Sequence, residues 1–309
     1  MRLDRLFVHA ILLVVLLASP QPATGDAATG PFILMDLGTL GGNRGTARAV
    51  NNSGQVVGTS STAGGKNHAF SWTAAGGMID LGTLGGTFSE TAGVNSSGQV
   101  VGRSRTAGDA LTHAFSWTAA GGMVDLGTLG GTDSSAAAVN DSGQVVGLSS
   151  TAGGVEIHAF SWTAAGGMID LGTLGNDSLA AAVNGSGQVV GNSISLDRTR
   201  LLPVLWRPIA NLGCTATLAG CNLKEANLAG AYLKDGDLSD ANLKGANLAR
   251  ANLSGANLSG ANLKDANLTN ANLAAAKLTG ANVTDVIWSK TICPDGTNSD
   301  ANGGTCEGH

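Results

Sequence analysis

Apolar and polar residues alternate in short bursts through residue 213, and beyond it apolar residues fall on every fifth position. One full unit of the first pattern shows its parts. The bursts are Ala137 to Val139, Gln144 to Ser149, His158-Ala159-Phe160-Ser161-Trp162, and Met168 to Leu174. A period near two predicts strands, and no stretch of the unit has the 3.6-residue apolar period of a helix. The joins are turn chemistry. Asn140-Asp141-Ser142-Gly143 favours a tight reversal because Asn bonds its own backbone and Gly takes positive φ, and Gly166-Gly167 does the same before the fourth strand.

The unit recurs. Its tryptophan falls at Trp72, Trp117, Trp162 and Trp206, at spacings of 45, 45 and 44 residues. The Asn turn begins at Asn51, Asn95, Asn140 and Asn184. The Asp-Leu-Gly motif begins at Asp36, Asp80, Asp125 and Asp170, with a degraded copy at Asn211. Four strands in about 45 residues is the size of a β-propeller blade, and a lone four-stranded sheet must stack on neighbours to bury its faces. The expected fold is all-β: a propeller-like array of four blades over residues 26–213, with a closed four-bladed ring favoured. Pro31 to Gly38 reads as a fourth strand without its first three, able to pair into the last blade. The other arrangement is an open array of sheets, or one completed by a second chain. The repeated His-Ala-Phe-Ser-Trp with Asp-Leu-Gly-Thr-Leu-Gly-Gly resembles the HAF repeat of bacterial extracellular proteins, a resemblance that implies secretion. The last copy departs from it, with Leu202-Pro203-Val204-Leu205-Trp206 in place of His-Ala-Phe-Ser-Trp.

From Cys221 the leucines Leu223, Leu228, Leu233 and onward to Leu278 keep strict step, ending at Val283, with Ala two residues earlier and Asn one earlier. Five suits neither a helix nor a flat strand, and frequent Asn and Gly weaken a helix. The pattern resembles the pentapeptide-repeat family, A(D/N)LXX. That resemblance implies a right-handed quadrilateral β-solenoid over residues 214–285, four pentapeptides to a coil, with Leu and the small residue pointing inward. Gly236-Asp237 and Lys277 depart from the motif. Some members of the family imitate DNA. Here six acidic residues between Glu225 and Asp285 balance six basic ones between Lys224 and Lys277, which is no imitation of a phosphate backbone.

Composition sharpens the picture. Glycine, at 47 of 309 residues, is about twice its usual share, which points to tight turns and small-residue cores. A net charge of −5 gives no reason to expect nucleic acid or an anionic membrane as partner. Arg2 and Arg5, then Leu6 to Ala18, apolar apart from His9, then Ser19-Pro20, read as a signal peptide over residues 1–25, too short to span a bilayer at about 20 residues. No integral membrane segment is expected after its removal. The expected location is therefore periplasmic or extracellular. Cysteines fall as two close pairs, Cys214 with Cys221 and Cys293 with Cys306. They suit local disulfides in an oxidising compartment, and residues 286–309 read as a disulfide-tied cap.

Candidate chemistry is sparse. His68, His113 and His158 are equivalent, and in a closed ring they could converge to hold zinc. The competing reading is a partly buried strand residue copied by duplication. Asp80, Asp125 and Asp170 are also equivalent, whereas acid–base catalysis needs groups in different environments. They suit turn or inter-unit hydrogen bonds. No catalytic residue and no cofactor is expected. The sequence favours a secreted, non-enzymatic scaffold for protein or cell-surface partners. A carbohydrate-binding module built on propeller loops and a metal or enzymatic propeller built on the aligned histidines are the alternatives.

Overall fold

The computed structural model describes residues 32–154, 156–195, 198–208 and 217–308. The signal-peptide segment, Pro31, Cys214 and Asn211 lie outside them. The described chain is strands and turns, with two single 3-10 turns at Ala107–Asp109 and Ser299–Ala301. The first unit contains β1 (Gly41–Val50), β2 (Val56–Thr62), β3 (Asn67–Thr73) and β4 (Gly77–Asp80). The second contains β5 (Gly85–Val94), β6 (Val100–Thr106), β7 (Thr112–Thr118) and β8 (Gly122–Asp125). The third contains β9 (Gly130–Val139), β10 (Val145–Thr151), β11 (Ile157–Thr163) and β12 (Gly167–Asp170). The last contains β13 (Gly175–Val183), β14 (Val189–Ser195) and β15 (Leu201–Trp206).

The ring expected from the sequence is not formed. Ten strands of a twelve-stranded sheet follow one open path from β1 to β12, with β4 and β8 paired off it to β3 and β7, and β13, β14 and β15 form a separate sheet. In a propeller each blade is its own sheet. Here the outer edge of β3 is shared. Its C-terminal half pairs with β4, Phe70 opposite Asp80, and its N-terminal half meets the next unit's β5 at Asn67 and Phe88. That sharing carries hydrogen bonding from unit to unit instead of turning blades about an axis. Of the segment from Pro31 to Gly38, read as a closing strand, residues 32–38 have no regular secondary structure.

Small residues make the stacking possible. Phe70, Phe115 and Phe160 are buried, each strand presenting one to the core. The glycine of Val-Val-Gly lies opposite: Gly58 pairs with Phe70 and Gly147 with Phe160. A Cβ on Gly147 would overlap the Ser135 carbonyl, and it would come within 2.9 Å of the Phe160 ring. The first strand of the unit bulges there, with a register shift between Val146 and Gly147, so its carbonyl presses on the glycine.

Two polar devices join the units. In each joint the N–H of a buried alanine on the third strand donates to a serine hydroxyl of the next unit. The pairs are Ala69 to Ser89 at 2.9 Å, Ala114 to Ser134 at 2.8 Å and Ala159 to Ser178 at 2.9 Å. Those hydroxyls donate in turn to the carbonyls of Gly82, Gly127 and Gly172. The second device is an asparagine ladder. Asn51 Nδ2 donates to the Asn95 carbonyl at 3.0 Å, Asn95 to Asn140 at 3.0 Å, and Asn140 to Asn184 at 2.9 Å. Each asparagine Oδ1 meanwhile accepts the N–H four residues on and closes its own turn.

After residue 217 the chain coils. Asn222, Asn242, Asn262 and Asn282 are joined by parallel bridges, as are Asn227, Asn247, Asn267 and Ile287, so one coil is 20 residues and four pentapeptides. Leucines from Leu238 to Leu273 are buried completely, and alanines such as Ala256 and Ala261 lie between them at 0% exposure. Each pentapeptide closes with a bond such as Ala246 N–H to Leu243 O, 3.0 Å, and the residue before that alanine takes positive φ. Gly245, Gly255 and Gly260 supply it without strain, whereas Glu225, Arg250 and Ala275 take it at φ near +60°. The coil runs past Asp285. Trp288 and Cys293 occupy the inward leucine positions, 4% and 0% exposed, and Leu273 N–H bonds Ile292 O at 2.8 Å. Cys293 is bonded to Cys306. Cys221 is also disulfide-bonded.

Gly147→Ala should lower unfolding stability by about 3 kcal/mol, because the methyl meets backbone and a packed ring. Gly64→Ala, at an open turn with ordinary φ, should stay within about 0.5 kcal/mol. Urea midpoints of the two variants check this.

Candidate functional site

The aligned histidines sit on the third strands and the aligned aspartates end the fourth, so each β-hairpin brings one of each together. His68 Nδ1 lies 2.8 Å from Asp80 Oδ2, His113 Nδ1 2.8 Å from Asp125 Oδ2, and His158 Nδ1 2.6 Å from Asp170 Oδ2. The aspartate partner makes Nδ1 the nitrogen that carries a proton and donates. The same carboxylates accept the N–H of Gly82, Gly127 and Gly172 and so hold the turn that leads to the next unit. His68 Nε2 and His113 Nε2 are buried without a hydrogen-bond partner, while His158 Nε2 meets Glu156 at 3.3 Å. Among the described residues, no three His, Cys, Asp or Glu side chains gather as a metal set. Each histidine is paired within its own hairpin. The arrangement is a clip repeated by duplication, and the turn role expected of the aspartates is what the geometry gives.

The tryptophans serve the core. Trp117, Trp162 and Trp206 pack against buried clusters that each combine two adjacent units, so they do not stand as exposed platforms for a sugar ring. Exposed apolar side chains recur on the short fourth strands. Ile79, Val124 and Ile169 occupy the same position in each and are 45%, 48% and 54% exposed. Their hairpin partners across the strand pair are Ser71, Ser116 and Ser161. The sequence pattern did not single these out. The signal was present in the repeated Met-Ile/Val-Asp, in which the residue between Met and Asp must face away from the core.

On the solenoid the asparagines face out. Their Oδ1 atoms accept the N–H two residues on, as in Thr269 to Asn267 at 3.0 Å, and some side chains bond from coil to coil, as in Asn242 Nδ2 to Asn222 Oδ1 at 3.1 Å. The departure at Asp237 obeys the same rule. Its Oδ1 accepts from the Ser239 hydroxyl and N–H and from Asn257 Nδ2 one coil on. These bonds, the Ser239 hydroxyl foremost, hold the Asp237 carboxyl below the usual aspartate value of 3.8.

Residues 216–249 and 246–285 match the family model for pentapeptide repeats, in eight copies. Part of the chain is similar to several solved structures. A pentapeptide repeat protein from Nostoc PCC 7120 is 40% identical over 24% of this chain and 64% of its own, with a TM-score of 0.15. HetL, a pentapeptide repeat protein involved in heterocyst differentiation regulation from Nostoc sp. strain PCC 7120, is 37% identical over 25% of this chain and 42% of its own, with a TM-score of 0.12. A pentapeptide repeat protein from the Arabidopsis thaliana thylakoid lumen is 22% identical over 28% of this chain and 74% of its own, with a TM-score of 0.19. The chain spans less than two thirds of the two Nostoc proteins. No curated protein matches it. The coil-forming part of the chain therefore consists of pentapeptide repeats.

A carboxylate with a depressed pKa adds stability above its unfolded value, and that contribution is lost as pH falls through the folded value. Wild type should therefore melt above Asp237→Asn at pH 7, and the gap should close as pH drops below 3.8. Thermal midpoints of both proteins between neutral and acid pH measure it.

Proposed function

We propose that this protein is an exported, non-enzymatic scaffold whose repeated surfaces engage a protein or cell-surface partner at several equivalent points. The observation that carries the reading is the row of Ile79, Val124 and Ile169, three half-exposed apolar side chains on equivalent short strands. Equivalent sites on one stack let weak contacts add through effective concentration, without any one of them being strong. The His–Asp clips support the same reading, since they spend the ionisable side chains of the units on holding hairpins. Export is supported by the charged start and short apolar run of the sequence, by the HAF-like motifs, and by the bond between Cys293 and Cys306. Fractionation of the producing cell should find the chain outside the cytoplasm with that disulfide oxidised.

The test of the contact surface is a pull-down with the full-length exported chain from periplasmic and extracellular fractions. A specific partner should be recovered, and the triple substitution Ile79→Ser, Val124→Ser, Ile169→Ser should lower its recovery at least tenfold while each single change has a small effect. Absence of a specific partner, or recovery unaffected by the triple substitution, contradicts the proposal.

A further inference from the structure

The four-unit stack ends, on both sides, on residues that cannot make its joint. Every internal joint uses an alanine N–H on the third strand and a serine hydroxyl on the next unit's first strand. The serines align by strand register: Ser89 lies opposite Ser104, Ser134 opposite Ser149 and Ser178 opposite Ser193. In the first unit the residue at that place, opposite Ser60, is Gly45, which has no hydroxyl. The alanines align likewise, Ala69 opposite Thr59, Ala114 opposite Arg103 and Ala159 opposite Leu148. In the last unit the residue at that place, opposite Asn192, is Pro203, which has no N–H. The acceptor is missing at one end and the donor at the other, while all three internal joints keep both.

Those ends would otherwise invite addition. Val57, Val101 and Val146 are buried at 0% exposure, but their counterpart Val190, in the last of the described units, is 46% exposed. At the other end Ala47 is exposed, whereas its counterparts Ala136 and Ala180 are 3% exposed. One end of the stack carries the kind of surface that the other end buries in its interior joints. Such head-to-tail complementarity generates open chains of copies unless something stops it. We infer that Gly45 and Pro203 are terminators that prevent a second copy of this chain from adding end to end. A copy docked at these ends would seal the edge without either of the buried joint bonds.

The device can be undone by substitution. A Cβ at Gly45 meets nothing nearer than 3.6 Å and the residue has ordinary φ, so serine fits there. Pro203→Ala removes a ring from a position whose N–H would face away from β14. The experiment is sedimentation velocity of the full chain over a hundredfold range of concentration, with circular dichroism to verify that each variant keeps its β spectrum. Wild type and both single variants should remain monomeric. The double variant Gly45→Ser, Pro203→Ala should form chains of copies, with association at least tenfold tighter than in wild type. An equimolar mixture of the two single variants should stop at a dimer, since only one pair of ends can join. A wild type that already grows end to end, a double variant that sediments as wild type does, or a mixture of single variants that stays monomeric overturns the inference.

Discussion

A β-sheet edge left open in water or in a core carries a row of unpaired donors and acceptors, and this chain resolves that problem by making each unit satisfy the edge of the one before it. In the first part the third strand of each of the first three units is completed by its own short fourth strand and by a serine from the next unit. In the second part every coil bonds the coil 20 residues away. Apolar burial then follows from the stacking. Phe115 and Phe160 are fully covered because neighbouring units close over them, and Val190, in the last of the described units, is half exposed.

Asparagine performs the same two tasks in both parts. Its Oδ1 closes a local turn and its amide reaches along the stack. The 44- and 45-residue ladder from Asn51 to Asn184 and the 20-residue contacts such as Asn257 to Asp237 are versions of one device at different periods. Both architectures can thus be small in aromatic content and rich in glycine. Polar side chains and backbone set the spacing, and small residues let the layers approach.

The strands, their turns and the five-residue coil were all legible in the sequence, because each is written in local residue types. Alternation marks strands, Asn-x-Ser-Gly marks turns, and leucine at every fifth place marks an inward row. The path between units was not legible. Whether the third strand's outer edge belongs wholly to its own fourth strand or is shared with the next unit's first strand turns on contacts between units, including serines that look like ordinary polar strand residues. The extension of the coil through Trp288 and Cys293 was also hidden, since those residues keep the leucine register without being leucine. Of the candidate site residues, the histidines and aspartates were visible by repetition. Their pairing 12 residues apart required knowledge of which strand follows which.

The most direct test of this account compares the inside of the ladder with its end. Asn95 is 4% exposed and bonds the next unit's backbone, whereas Asn184 is exposed and donates to Gln188 within its own turn. Asn95→Ala should cost about 3 kcal/mol by leaving buried backbone groups unpaired, and Asn184→Ala about 1 kcal/mol, in equilibrium urea unfolding. Equal losses from the two substitutions would show that the units stand independently, and would contradict the account.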